Sequence, residues 1–149
     1  MKKYESNLHL FELKKNKSDF LKSIVENSED AYKVMKQFYH DDIDIYESFF
    51  ILLLDSGNNT IGYAKISQGG IVGTTMDIRI VAKYCVDSLA TSVILAHNHP
   101  SGDPSPSQAD IYLTNQLKEG LALLAVDVLD HLILINDSYY SMKNRGDMQ

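Results

Sequence analysis

Apolar residues recur along this chain at two spacings, one helical and one extended, and the alternation predicts its elements. The opening stretch, Tyr4 to Leu13, is ragged (Tyr4, Leu8, Leu10, Phe11, Leu13) and compatible with an edge strand. From Ser18 to His40 the spacing is helical: Phe20, Leu21, Ile24 and Val25, then Ala31, Val34, Met35 and Phe38. Ser18 and Ser28 fit as N-caps, which predicts two short helices or one broken near Asn27. Glu47 to Asp55 is β-rich and apolar, and the polar run Asp55-Ser56-Gly57-Asn58-Asn59 turns it into a second strand, Thr60 to Ser67. Gly69, Gly70 and Gly73 mark a loop. Asp77 to Leu89 is helical again, with Ile80, Val81, Tyr84, Cys85 and Val86 on the apolar side.

Ser92 to Ala96 is a short continuous apolar run, the pattern of a strand buried on both faces. Pro100, Gly102, Pro104 and Pro106 impose a loop. Ser107 to Gly120 predicts a helix stopped by its glycine. Leu121 to Val126 and Leu129 to Ile135 predict two more strands, and the polar tail after Met142 is expected to fray. Strands and helices alternate, so the expected fold is α/β, a mixed central β-sheet flanked by helices. A length of 149 residues suits one domain, residues 1–149. In it, residues 1–42 form an N-terminal strand and helical region ahead of a core over about 43–142.

Composition narrows the function class. The chain is 44% hydrophobic and 23% charged, at globular averages. Its single cysteine, Cys85, excludes a disulfide framework, a Cys-rich zinc ribbon and a CxxC redox site; on an amphipathic helix it reads as a small core side chain. The longest apolar run, Phe49 to Leu54, is far short of the roughly 18 residues of a membrane span. Lys2 and Lys3 are followed by no apolar h-region, so a cytoplasmic protein without membrane association is expected. Fourteen basic against twenty acidic residues give a net charge of −6. Residues 1–22 hold six lysines against three acids, leaving −9 on the remainder. Nucleic-acid affinity rests on phosphate neutralisation, so the acidic body gives DNA binding no support. The lysine-rich start reads either as a weak anchor or as a solvated strand edge.

The candidate chemistry lies in one stretch. His97-Asn98-His99 leaves the predicted buried strand, and extended geometry turns His97 and His99 to one side and Asn98 to the other. Asp110 follows near the start of the next helix, after a loop able to fold it back. Two histidines and one aspartate suit zinc with a fourth position open. Ser107-x-x-Asp110 also fits a capping box, and the two readings compete for the Asp110 carboxylate. An HNH nuclease spreads its residues over a ββα unit rather than three consecutive positions. A nucleoside deaminase needs a Pro-Cys-x-x-Cys zinc pair that one cysteine cannot supply. His131 in an apolar strand reads as a core histidine, and His9 and His40 as surface residues.

His97-x-His99-Pro100, seven residues, then Ser107-x-x-Asp110 resembles the JAMM motif of the JAB1/MPN metalloprotease superfamily. The string HNHPSGDPSPSQAD, with Asp130-His131 before an apolar strand, is similar to its RadC branch, and the similarity covers about Ile43 to Met142. The resemblance implies a zinc-dependent hydrolase of amide or isopeptide bonds, with His97, His99 and Asp110 as ligands. It also implies a glutamate on an early strand as general base and then acid, a role carried to Glu47, and a hydrogen bond from Ser107 to the oxyanion. It leaves His131 open to a role behind the ligands. RadC relatives are tied to DNA repair and typically carry an N-terminal helix-hairpin-helix region. This chain is short for one and shows no such glycine-containing hairpin near its start. Thr75-Met76-Asp77-Ile78-Arg79 stands where those relatives usually place a Pro-Arg pair. Two further readings stay open: a non-catalytic JAB/MPN binding module, and a DNA-associated accessory protein that uses the early lysines. Neither the substrate, expected to be a peptide or protein, nor the oligomeric state is encoded legibly.

Overall fold

The computed structural model describes residues 9–12, 14–69 and 76–149. Strand β1 (Ser48–Leu54) is buried at every one of its seven positions and so must be covered on both faces. It pairs antiparallel with β2 (Thr60–Gln68) on one side and with β3 (Ser92–Asn98) on the other. β3 then pairs parallel with β4 (Asp127–Ile135), which pairs antiparallel with β5 (Ser138–Ser141). The result is one five-stranded mixed sheet in the order β2-β1-β3-β4-β5. The parallel β3–β4 pair requires a crossover, supplied by α3 (Gln108–Ala122).

Alternation along β1 and β3 divides the core into two layers. Phe50, Leu52, Leu54, Ile94 and Ala96 meet Ala31 and Met35 of α1 (Ser28–Met35) together with Phe38 and Ile43. On the opposite face Phe49, Ile51, Leu53, Val93 and Leu95 pack against Leu117 and Leu121 of α3. Val81 and Cys85 of α2 (Ile78–Ser88) join them, the buried thiol among them as expected. The α/β class, both hairpin strands and the buried strand agree with the sequence pattern.

Several boundaries differ. The Tyr4–Leu13 strand falls largely outside the described residues, as do most of the Gly69–Gly73 loop and Thr75; residues 9–12 are not in a strand. No helix starts at Ser18. The segment is extended, because its backbone is taken up by the hairpin: Val25 N donates to Asn58 O at 2.9 Å, and Thr60 N donates to Ser23 O at 2.8 Å. Ile24 forms a bridge with Asn59. Helix α1 begins after Asn27, whose side chain accepts from Asp30 N at 2.9 Å, so Asn27 and not Ser28 is its N-cap.

The strand predicted over Leu121–Val126 is absent. Helix α3 runs through Gly120 because Leu121 is a fully buried core residue. The chain turns instead at Ala125, with φ of 55°, where Val126 N donates to Leu121 O at 3.0 Å. The tail is not frayed: β5 leads into α4 (Met142–Arg145), Tyr140 Oη donates to Asp147 at 2.6 Å, and Gln149 N donates to Asn115 at 2.9 Å. His9 and His40 are exposed, as are Lys14, Lys15, Lys17 and Lys22; Lys2 and Lys3 lie outside the described residues. Among the described residues no helix is long and apolar enough to cross a membrane.

Candidate metal centre

The site forms where β3 runs out of its pairing with β1. His97 lies opposite Phe49, so the same register places Glu47, just before β1, across from His99. Glu47, His97 and His99 bring one ligand atom each within 4.8 Å of one another. His97 is 1% exposed, its ring parallel to that of Phe49 at 6.0 Å between centroids. Extended backbone continues through the motif, and His99 N donates to Leu134 O of β4 at 3.0 Å.

Asn98 points to the other face and has its own task. Fully buried, it accepts from Ser48 N at 2.7 Å and donates to Ile43 O at 2.6 Å and Tyr46 O at 2.7 Å. These three bonds pin the chain on either side of Glu47. The 3₁₀ turn Asp41–Asp44 delivers that segment.

Asp110 reaches the site from the first turn of α3, where the helix N-terminus favours a carboxylate. The capping box exists: Ser107 Oγ accepts from Asp110 N at 3.0 Å, and Ser107 N donates to Asp110 Oδ2 at 2.7 Å. The expected competition for the carboxylate is resolved by dividing its oxygens. Oδ2 holds the cap, while Oδ1 stands 3.5 Å from His97 Nε2; Oδ2 is also 3.6 Å from His99 Nε2. Ser107 is exposed at the rim, and its Oγ serves the cap only as an acceptor.

The ring nitrogens tell what this arrangement asks for. His99 Nδ1 lies 2.8 Å from the carbonyl of Asp103, which only accepts, so Nδ1 carries the hydrogen and Nε2 presents a lone pair. The loop that brings Asp103 back turns at Gly102, whose φ of 83° suits glycine and whose N donates to His99 O at 3.0 Å. His99 Nε2 and His97 Nε2 face each other at 2.9 Å, beside the Asp110 carboxylate. Such convergence of nitrogens and carboxylates needs either a hydrogen between the two rings or a metal ion shared by them. The neighbouring Asp110 carboxylate raises the His99 pKa, against burial and with help from the Asp103 carbonyl. For Asp110 burial acts upward, yet the facing His97 and His99 rings outweigh it and hold the carboxyl far below the usual range. The donor set, two imidazoles with carboxylates and no thiolate, fits zinc or another divalent metal of intermediate softness.

Behind His97 lies His131, 2% exposed, its Nε2 2.7 Å from His97 Nδ1. Burial, above all, and the neighbouring His97 push its pKa well down. Its Nδ1 is 2.6 Å from Thr114 Oγ1. Neither His131, expected as a core histidine, nor Thr114 stands among the site residues that the sequence predicts. Helical spacing was the available signal, since Thr114 stands one turn after Asp110 on the same face. Asp130, the neighbour of His131, is a buried structural carboxylate that accepts from Ser28, Ser141, and the amides of His131 and Lys143.

Residues 25–147 match the family described as RadC-like JAB domain. A UPF0758 protein of Flavobacterium johnsoniae is 40% identical over 122 residues, covering 82% of this chain and 52% of that protein. A UPF0758 protein of Syntrophomonas wolfei is 38% identical over 128 residues, 85% of this chain and 54% of its own length. One from Methanosarcina mazei is 36% identical over 140 residues, 92% and 60% respectively. The chain thus spans between half and two thirds of the length of these relatives.

Proposed function

Because the chain belongs to the RadC-like JAB domain family, we propose that the His97, His99, Asp110 and Glu47 cluster is the centre of a zinc-dependent hydrolase of amide or isopeptide bonds. The observation that carries this reading is the 2.9 Å approach of two imidazole Nε2 atoms beside an aspartate whose Oδ1 is free of the helix cap. His97, His99 and Asp110 would hold the metal. Zinc, when bound, supplies a Lewis acid that brings the pKa of water towards about 7.

The chain's own groups do the rest. Glu47, half-buried and pinned through its neighbours by Asn98, takes the proton of the attacking water and returns it to the leaving amine. Ser107 accepts the Asp110 amide while its hydroxyl hydrogen remains available to the developing oxyanion. The substrate class is a peptide-like bond in a protein or peptide, reached through the rim around Ser107 and His99. The net charge of −6 favours no nucleic-acid partner.

Glu47 as a metal ligand is a second reading, favoured by its ligand atom lying within 4.8 Å of those of both histidines. Elemental analysis of the purified protein separates the two. Near-stoichiometric zinc that is lost in His97→Ala and Asp110→Ala and kept in Glu47→Gln supports the assignment above. The Glu47→Gln protein should then fail to cleave a peptide library read by mass spectrometry when the unaltered protein cleaves it. Zinc content unchanged in both ligand variants sinks the assignment, and zinc lost in Glu47→Gln moves Glu47 into the ligand set.

A further inference from the structure

Nothing in a histidine ring by itself decides which nitrogen carries the hydrogen; its neighbours do. For His99 an acceptor-only carbonyl stands directly behind the ring. For His97 no such group is adjacent: Nδ1 faces another imidazole, His131 Nε2, at 2.7 Å. Two imidazoles in series are compatible with either direction of hydrogen donation. The direction is settled two residues further on.

Thr114 Oγ1 lies 2.6 Å from His131 Nδ1 and 2.6 Å from the carbonyl oxygen of Asp110. That carbonyl can only accept, so the hydroxyl hydrogen of Thr114 goes to it, and Oγ1 is left to accept from His131 Nδ1–H. His131 is buried, and the partners of its ring are a histidine and a threonine, neither of which compensates a buried positive charge. A neutral His131 with its hydrogen on Nδ1 presents a lone pair at Nε2. His97 must then donate from Nδ1, which frees its Nε2 for the cluster.

We propose that Thr114 and His131 are a hydrogen-bond relay, anchored on the Asp110 carbonyl, that fixes His97 in its metal-ligating tautomer; both are positioning residues for metal binding. The relay closes a loop, since it ends on the backbone of the residue whose side chain faces the same His97. Reversing it would place a hydrogen on His97 Nε2, facing His99 Nε2 at 2.9 Å. The role extends the metal reading above and rests on it. A partner behind a metal-bound histidine typically changes affinity about 10–100-fold when removed.

The test is Zn(II) affinity, by competition with a chromophoric chelator, for the unaltered chain and for His97→Ala, Thr114→Val and Thr114→Ser. Thr114→Val keeps shape and removes the acceptor, and is expected to weaken Zn(II) binding about 10–100-fold. Thr114→Ser restores the hydroxyl and should return to within about 3-fold of the original, a rescue that loss of packing would not give. Metal-free thermal unfolding of both variants accompanies the measurement. A Thr114→Val protein that binds Zn(II) as tightly as the unaltered chain, while His97→Ala does not bind, overturns the relay and leaves the metal site standing. An unaltered chain that takes up no Zn(II), or a His97→Ala variant that binds equally, takes down both. Should Thr114→Val not fold, long-range ¹H–¹⁵N spectra of the unaltered protein decide: His131 protonated at Nδ1 supports the relay, and protonation at Nε2 overturns it.

Discussion

Replacing Asn98 by alanine should be among the most damaging single changes outside the hydrophobic core. Its side chain is fully buried and makes three hydrogen bonds of 2.6–2.7 Å, to Ser48 N, Ile43 O and Tyr46 O. Truncation leaves all three backbone groups without their partner. The contacts to Ser48 N and Ile43 O are buried, whereas Tyr46 lies in an exposed position whose carbonyl regains water. Two buried orphans at about 1–3 kcal/mol each predict a loss of roughly 2–6 kcal/mol. Against a typical net stability of about 5–15 kcal/mol that is a large share.

The assay is urea unfolding of metal-free protein, where the midpoint should fall with the slope unchanged. Native-state hydrogen exchange adds a local readout, because the Ser48 amide should lose its protection. Asn98→Asp is the informative companion. It keeps an acceptor for Ser48 N but sets an oxygen against two carbonyls, so at neutral pH it should destabilise at least as much as Asn98→Ala. An Asn98→Ala protein within about 0.5 kcal/mol of the original would refute the claim that this side chain holds the segment carrying Glu47.

Two other outcomes follow from the backbone and the charges. Leu89 closes α2 with φ of 56° while 83% exposed, so Leu89→Gly removes a strained left-handed conformation at little cost in packing. It should stabilise by about 0.5–1 kcal/mol, raising the midpoint of thermal unfolding by roughly 1–4 °C; a lower midpoint contradicts this. In metal-free protein, the lowered Asp110 carboxyl contributes stability above its unfolded value of about 4, lost as pH falls. The raised His99 contributes below its unfolded value of about 6.5, lost as pH rises through the folded value. The pair therefore acts most between about pH 4 and 6.5, and Asp110→Asn should cost more stability at pH 5.5 than at pH 8.5. Equal costs at the two pH values would show that the contacts at 3.5 and 3.6 Å carry no net charge interaction.

Local pattern was enough for the parts of this protein whose structure is set by neighbours in sequence. The unbroken apolar run of β1 and the SVILA run of β3 predicted strands covered on both faces, because nothing else accommodates such runs. His97-x-His99 predicted two imidazoles on one side and Asn98 on the other, since side chains alternate in an extended chain. The Ser107-x-x-Asp110 cap was legible as well, being a contact within one helical turn.

What depended on distant partners was not legible. The helical spacing of Phe20, Leu21, Ile24 and Val25 was overridden when residues 23–25 bonded to the end of the β1–β2 hairpin. Gly120 did not stop α3, because burial of Leu121 holds the helix to Ala122 and Ala125 takes the left-handed turn. The Asp110 carboxylate shared by cap and cluster, the three bonds of Asn98 and the Thr114–His131 pair each join residues that only the packed sheet brings together. Which residue types stand at the site, and in what order, is legible along the chain alone. The tertiary structure decided the direction of the hydrogen bonds behind them, because each hydrogen is assigned by whichever acceptor the fold sets within about 3 Å.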